Sequence, residues 1–198
     1  MRNHDLVFLK HFSQLIGLLV GITIALLLLG ACRSEPIAFH TLTPAHLSPS
    51  TRAEAGGVRI ESISVPPQVD RAQIVIRQGD SGLAILETQW WAATLADELR
   101  SALVDQLANS NARQAVALRV DVQRFDSVPG QYALLDVRWR LRQVNGDRPA
   151  LTCRTTLQSP AGPSIDELVV AHQNNLKRFA ALINQTVDTS LKGCPTTP

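Results

Sequence analysis

Leu135-Asp136-Val137-Arg138-Trp139-Arg140-Leu141-Arg142 alternates apolar and charged residues without interruption. A period of two is the repeat of a β-strand, whose successive side chains point to opposite faces. One face of this strand is therefore buried and the other is wet. The runs on either side carry the same pattern. Val116, Leu118, Val120 and Val122 alternate with Ala117, Arg119, Asp121 and Gln123. Leu151, Cys153, Thr155 and Leu157 alternate with Thr152, Arg154, Thr156 and Gln158. Pro129-Gly130 and Asn145-Gly146 turn the chain between them. Three successive strands are expected, with Arg138, Arg140, Arg142 and Arg154 on the wet face and Asp121 and Asp136 partly balancing them. A solvated face is the plain reading and a docking surface is the sharper one.

Beyond these strands lies a long helical signal. Ser164-Ile165-Asp166-Glu167, preceded by Pro163, has the form of a capping box. Ile165, Leu168, Val169, His172, Leu176, Phe179, Ile183, Val187 and Leu191 then form an apolar stripe. The helix is expected to run to about Lys192, with Gly193 as its stop. Upstream, Trp91, Leu95, Leu99, Ala102, Leu103 and Leu107 recur at helical spacing and predict a helix from Trp90 to Asn109. Earlier still, Phe39 to Leu42, Val58 to Val65, Gln73 to Arg77 and Leu83 to Thr88 read as strands. Pro66-Pro67 ends one of them, and Gly79-Asp80-Ser81-Gly82 turns the chain between two others. The expected class is α+β, a two-layer domain with a mixed, mostly antiparallel sheet and two packed helices.

The N-terminal part follows a different rule. Met1 to Gln14 carries Arg2 and Lys10 against Asp5, and Leu15 to Ala31 is almost wholly apolar. A charged start, an apolar middle and small residues form a secretory signal. Leu29-Gly30-Ala31-Cys32 closes it and resembles a lipobox, the bacterial lipoprotein signal. That resemblance implies cleavage between Ala31 and Cys32 and lipid on the Cys32 thiol. The competing reading is an uncleaved membrane anchor, because Leu15 to Ala31 lies at the short end of the roughly 17–25 residues that span a bilayer. Arg33, where an Asp would favour retention in the inner membrane, points to the outer membrane and its periplasmic face. The expected divisions are a signal peptide at 1–31, a lipidated N-terminus with a short strand and loop at 32–56, a folded domain at 57–194 and a tail at 195–198.

Composition narrows the function. The chain has 19 basic and 17 acidic residues. Removing the leader's Arg2, Lys10 and Asp5 leaves a nearly neutral protein with no electrostatic footprint for nucleic acid. Of the three cysteines, lipid would occupy Cys32 and leave Cys153 and Cys194 as a pair in an oxidising compartment. A disulfide between them is expected, with two unpaired thiols as the alternative.

Motifs for catalysis are weak. Gly79-Asp80-Ser81-Gly82 and Thr43-Pro44-Ala45-His46 echo the serine and histidine loops of trypsin-like proteases. Two six-stranded barrels cannot be built around so short a spacing, and a triad is defined by geometry on a rigid scaffold. His40, His46 and His172 do not cluster, no spacing matches a zinc site, and no glycine-rich loop precedes a helix. No catalytic residue, metal or cofactor is expected.

One further stretch is distinctive. Val65-Pro66-Pro67-Gln68-Val69-Asp70-Arg71-Ala72-Gln73-Ile74-Val75-Ile76-Arg77 joins a proline-ended strand to Asp70-Arg71, then Gln73 and Arg77. It resembles the signature of the ABC-type transport auxiliary lipoproteins, the family of paraquat-inducible protein C. Trp91-Ala92-Ala93-Thr94-Leu95 resembles the family's tryptophan-led helix start, and Phe39-His40-Thr41-Leu42 its opening strand. His40 stands where the family usually has Tyr, and the usual Pro after the tryptophan segment is absent. The resemblance implies a non-enzymatic lipoprotein of the outer membrane. Its implied partner is a periplasm-spanning protein with MCE domains, which carry lipid between the two membranes. It also allows a homo-oligomer. The Asp70-Arg71 segment would support the fold by an ion pair or face the partner. The alternatives are a structural lipoprotein of another envelope complex and an envelope hydrolase.

The lipobox reading is directly testable. Labelled palmitate should enter the wild-type protein in growing bacteria and be absent from Cys32→Ser; label that survives the substitution refutes the lipidation site.

Overall fold

The wet-and-dry alternation becomes one of the two inner strands of a four-stranded sheet. The computed structural model describes residues 16–23, 35–45, 57–108, 115–146 and 148–196. Its elements are β1 (Ala38–His40), β2 (Val58–Ser64), β3 (Gln73–Gln78), β4 (Gly82–Trp91), α1 (Leu95–Leu107), β5 (Val116–Val128), β6 (Tyr132–Gln143), β7 (Leu151–Pro160) and α2 (Ile165–Asp188). The strands divide into two sheets, ordered β2-β5-β6-β7 and β1-β4-β3. The β1–β4 and β2–β5 pairs are parallel and the others antiparallel. The class is α+β, with mixed sheets.

Contacts separate residues 1–36 from residues 37–198. In the first unit, residues 16–23 are helical, and Ile16, Leu18, Leu19, Val20 and Ile22 are all exposed. No helix among the described residues is long and apolar enough to cross a membrane. Ala31, Cys32 and His46 lie outside the described residues.

In the second unit the core lies between the four-stranded sheet and the helices. The sheet contributes Leu118, Val120, Val122, Leu135, Val137, Trp139, Leu141, Cys153 and Leu157. α2 contributes Leu176, Phe179 and Ile183, and α1 contributes Leu95, Leu99 and Leu103. Trp139 meets Phe179 edge to face at 5.8 Å, and its indole N–H donates to Thr155 Oγ1 at 3.0 Å. Such an aromatic pair adds about 0.5–1.5 kcal/mol beyond its area. Asn175, fully buried on α2, donates to the Ala133 carbonyl and accepts from Ser159 Oγ, so both ends of its amide are satisfied. Glu98 on α1 accepts from Leu42 N and Thr41 Oγ1, both at 2.8 Å, and ties the segment after β1 to the helix.

Three strand pairings carry register shifts, one of them between Gln73 and Val75 where β3 meets β4. Pairing of β2 with β5 shifts between Ile60 and Ser62, so Glu61 is extra. This lets both Ile60 and Ile63 pack against the core, although they are three residues apart. Pairing of β5 with β6 shifts between Val122 and Arg124, at Gln123.

Three boundaries differ from the sequence expectation. Trp90 and Trp91 belong to β4, not to a helix. They pair with Phe39 and His40 of β1, and Trp91 N donates to the Ala72 carbonyl. The helix begins only after Thr94, whose hydroxyl accepts from Asp97 N. At the other end, α2 stops at Asp188 rather than about Lys192. Ser190 and Leu191 adopt left-handed backbone (φ 60° and 59°), and Leu191 N donates back to the Thr186 carbonyl. This C-terminal turn satisfies carbonyls that a helix end would leave unpaired. The Ser164–Glu167 capping box is formed in full at the start of α2.

Cys153 of β7 and Cys194 past α2 form a disulfide, with Cα atoms 5.6 Å apart. The bond spans a sequence separation of 41. Loop-closure entropy for a ring of that size is worth about 4 kcal/mol. Cys153→Ala/Cys194→Ala should therefore lower the unfolding free energy by roughly that amount in urea titration. An unchanged midpoint would show that the bond contributes nothing.

Candidate functional site

The distinctive 65–77 stretch and Trp91 meet at the seam between the two sheets. β2 pairs with β5 only as far as Asp121, and beyond it β3 packs near β5. The Pro66 carbonyl accepts from Val69 N at 3.0 Å and Asp70 N at 3.2 Å, which closes a turn and buries Val69. Gln73 then opens β3 opposite Trp90. Arg77 reaches across, and its Nε lies 2.8 Å from Asp126 Oδ1 of β5. Arg124 approaches the other oxygen of Asp126. A nearly buried carboxylate is thus held between two guanidinium groups. Such a group is tolerated inside a protein only when paired in this way.

Behind this ion pair lies an aromatic stack. Phe125 lies parallel to the His172 ring at 3.9 Å. Trp91 meets both rings edge to face, at 6.3 and 6.5 Å. Ser127 Oγ lies 2.9 Å from His172 Nε2, and among the described residues His172 Nδ1 has no hydrogen-bond partner. Burial pushes the His172 imidazole down to about 3, so it is neutral across the physiological range. In a nucleophilic serine site a third group orients the base through its second nitrogen. Here that nitrogen is unpartnered, and Asp126 is engaged by Arg77 and Arg124. A cavity of about 70 Å³ opens beside Ser127, lined also by Pro66, Val69, Val75, Arg77 and Phe125.

The expected site residues separate in space. Pro66, Arg77 and Trp91 converge on the seam, and Leu95 is fully buried as the first residue of α1. Asp70 is exposed and Arg71 is half-buried, and among the described residues no ion pair joins the two; the ion pair formed from this stretch is Arg77–Asp126. Ser81 sits exposed in the β3–β4 turn. His40 bonds the Gln89 side chain at 2.7 Å and approaches Asp166. Among the described residues no group of His, Cys, Asp and Glu could hold a metal. Sequence reasoning missed Asp126 and Ser127. Their one signal is the break in alternation at Gln123-Arg124, where two polar residues fall together.

The other polar feature is the wet face of the four-stranded sheet. Arg119, Arg138, Arg140, Arg142 and Arg154 are exposed on it. Arg154 forks onto Asp136, with contacts of 3.1 and 2.7 Å, and holds that carboxyl below its usual range. Glu61 receives Arg119 at 2.8 Å and Arg142 at 3.0 Å, and the Arg119 hydrogen bond leads in lowering its pKa.

The comparisons with known proteins bear on this arrangement. The family model for the ABC-type transport auxiliary lipoprotein component matches residues 40–184, from the end of β1 to the last turns of α2. The chain belongs to this family. The matched region contains the whole seam. Among solved structures, an uncharacterized protein superposes with a TM-score of 0.64 at 17% identity, covering 77% of this chain and 99% of that one. A Xanthomonas campestris protein of the DUF330 family superposes at 0.57 with 20% identity, covering 79% and 95%. These likenesses bear on the fold alone. Among curated proteins none matches the chain. Within the matched region, the 65–77 stretch lies at the seam between the two sheets.

The buried histidine gives the seam a pH signature. Its stabilising contribution is complete above pH 6.5. It is lost as pH falls toward 3, because the unfolded chain takes up a proton that the folded chain refuses. Unfolding free energy should fall by up to about 1.4 kcal/mol per pH unit below pH 6.5 from this group. Hydrogen bonds from Arg154 and Arg119 lower the Asp136 and Glu61 carboxyls from their ordinary values. Urea titrations at pH 7 and pH 5 should show a smaller loss for His172→Phe than for wild type; equal losses would remove His172 as the cause.

Proposed function

We propose that this chain is an outer-membrane lipoprotein that faces the periplasm and docks an MCE-domain, envelope-spanning partner of an intermembrane lipid transport system. The domain binds and does not catalyse. The observation that carries the reading is the family match over 40–184 in a chain whose N-terminal part ends in Gly30-Ala31-Cys32. The exposed apolar helix over residues 16–23 agrees with a segment made for a membrane environment. Arg33 after Cys32 favours the outer membrane. Three acyl chains on Cys32 would hold the protein firmly, since each buried methylene adds about 0.8 kcal/mol.

The geometry supports a binding role. The Ser127–His172 contact is buried and its imidazole is neutral with no orienting group. Catalysis would need a nucleophile, a base and an orienting group within reach of a substrate. The wide polar surface is instead the arginine-bearing sheet face.

Two measurements in the native bacterium test this reading. Density-gradient separation of membranes should place the protein with the outer membrane, and Cys32→Ser should release it to other fractions. Cross-linking in intact cells should then capture a protein with MCE domains. Capture of unrelated outer-membrane assembly proteins instead would replace this reading with a structural role in another envelope complex.

A further inference from the structure

The wet face of the sheet carries like charges directly opposite one another. Arg119 of β5 pairs in register with Arg140 of β6, and Arg138 of β6 with Arg154 of β7. Like charges at such positions destabilise a sheet. The face relieves only part of this. Glu61 engages Arg119 and Arg142, and Asp136 engages Arg154. Asp121, opposite Arg138, is taken by Ser64 Oγ and Gln123 Nε2, each at 2.8 Å. Among the described residues, Arg138 and Arg140 have no ion pair and no side-chain hydrogen bond.

The shape of the face is specific as well. Ala117 leaves a gap beside Arg142, its cross-strand partner. A depression of about 210 Å³ opens there, lined by Glu61, Ala117, Arg119, Arg140 and Arg142. The bulge at Glu61 places an extra residue at the margin of this depression, where its carboxylate bridges two arginines. Bulges are a common means of re-aiming a side chain beside a functional surface. Ala117 is the one apolar residue in the lining, so acyl chains would find no apolar wall. At about 210 Å³ the depression lies below the roughly 300–1,000 Å³ of a small-molecule pocket.

We propose that this face binds an extended acidic segment of the docked partner protein, with carboxylates at alternate positions. The inference deepens the docking reading and rests on it. Arg138, Arg140 and Arg142 stand two residues apart on one strand, so their spacing is about 6.8 Å. Carboxylates at every second residue of a partner strand repeat at the same interval. The depression takes one of them against Arg140, and Arg138 takes the next. Guanidinium groups suit this role because their planar fork matches a carboxylate and is weakly hydrated. Exposed ion pairs of this kind are screened by salt, so binding should weaken as sodium chloride rises.

The test uses membrane-extracted full-length protein and two fluorescent peptides of equal composition, one alternating Glu-Thr over eight residues and one with four Glu followed by four Thr. The alternating peptide should bind more tightly. Arg138→Ala/Arg140→Ala should weaken it by roughly tenfold, as the loss of two exposed charge pairs implies. Arg59→Ala, at the margin of the face, should change it little. An unaltered circular dichroism spectrum and urea midpoint would show that the double variant is folded. Equal binding of the two peptides overturns the proposal, as does an undiminished affinity in the double variant. Binding to phosphatidylglycerol vesicles with neither peptide bound would assign the face to a membrane and also overturn it. Cross-linking in cells separates this inference from the docking reading. If Arg138→Glu/Arg140→Glu still captures the MCE-domain partner, docking stands and the arginine row is not its surface. If wild type captures none, the docking reading fails.

Discussion

The molecule depends on one buried plane, where the inner faces of β5, β6 and β7 lie against α2. Trp139 is its centre, enclosed by Phe179 and satisfied at its N–H by Thr155. Burying a side chain of this size is worth several kcal/mol, more than any surface ion pair in the chain. The plane also sets direction. With Leu135, Val137, Trp139 and Leu141 held inward, Arg138, Arg140 and Arg142 must face out. A slip of one residue would put the arginines in the core and the tryptophan in water. The polar face is therefore a consequence of the apolar one.

A second constraint joins the smaller sheet to the larger. Polar groups at the seam are nearly buried yet mostly paired: Asp126 with Arg77 and Arg124, and Ser127 with His172. Removing one partner of such a set leaves a desolvated group behind, which costs more than the contact itself contributes. This explains in physical terms why the distinctive residues of the 65–77 stretch need not touch any ligand. Pro66 makes a turn, Gln73 starts a ladder, and Arg77 neutralises a carboxylate on the neighbouring sheet. The stretch builds the junction between the two sheets.

The functional reading follows from what the fold leaves outside. The seam is filled by aromatic packing and committed ion pairs, whereas the sheet face keeps two arginines uncommitted. On the proposed docking role, a stable platform carries a polar surface with uncommitted arginines, and electrostatic complementarity directs encounter and register. The disulfide and the capping box serve the platform, since they stabilise the two ends of the α2 region without altering the exposed face.

Much of this was legible in the residues alone. Alternation from Val116 to Gln158 specified three strands and their inward faces, because the β repeat of two is a local property. Ser164 to Glu167 specified a helix start, because capping is satisfied within one turn. The end of β4 was not legible. Trp90 and Trp91 fit a helical stripe, and only hydrogen bonds to β1 and to Ala72 hold them as strand. The division into two sheets, the bulge at Glu61, the Arg77–Asp126 pair and the facing of Arg119 with Arg140 all depend on residues distant in the chain. Local periodicity decides which face of an element is apolar; only three-dimensional packing decides which charges then meet, because that depends on register between strands and not on spacing within one.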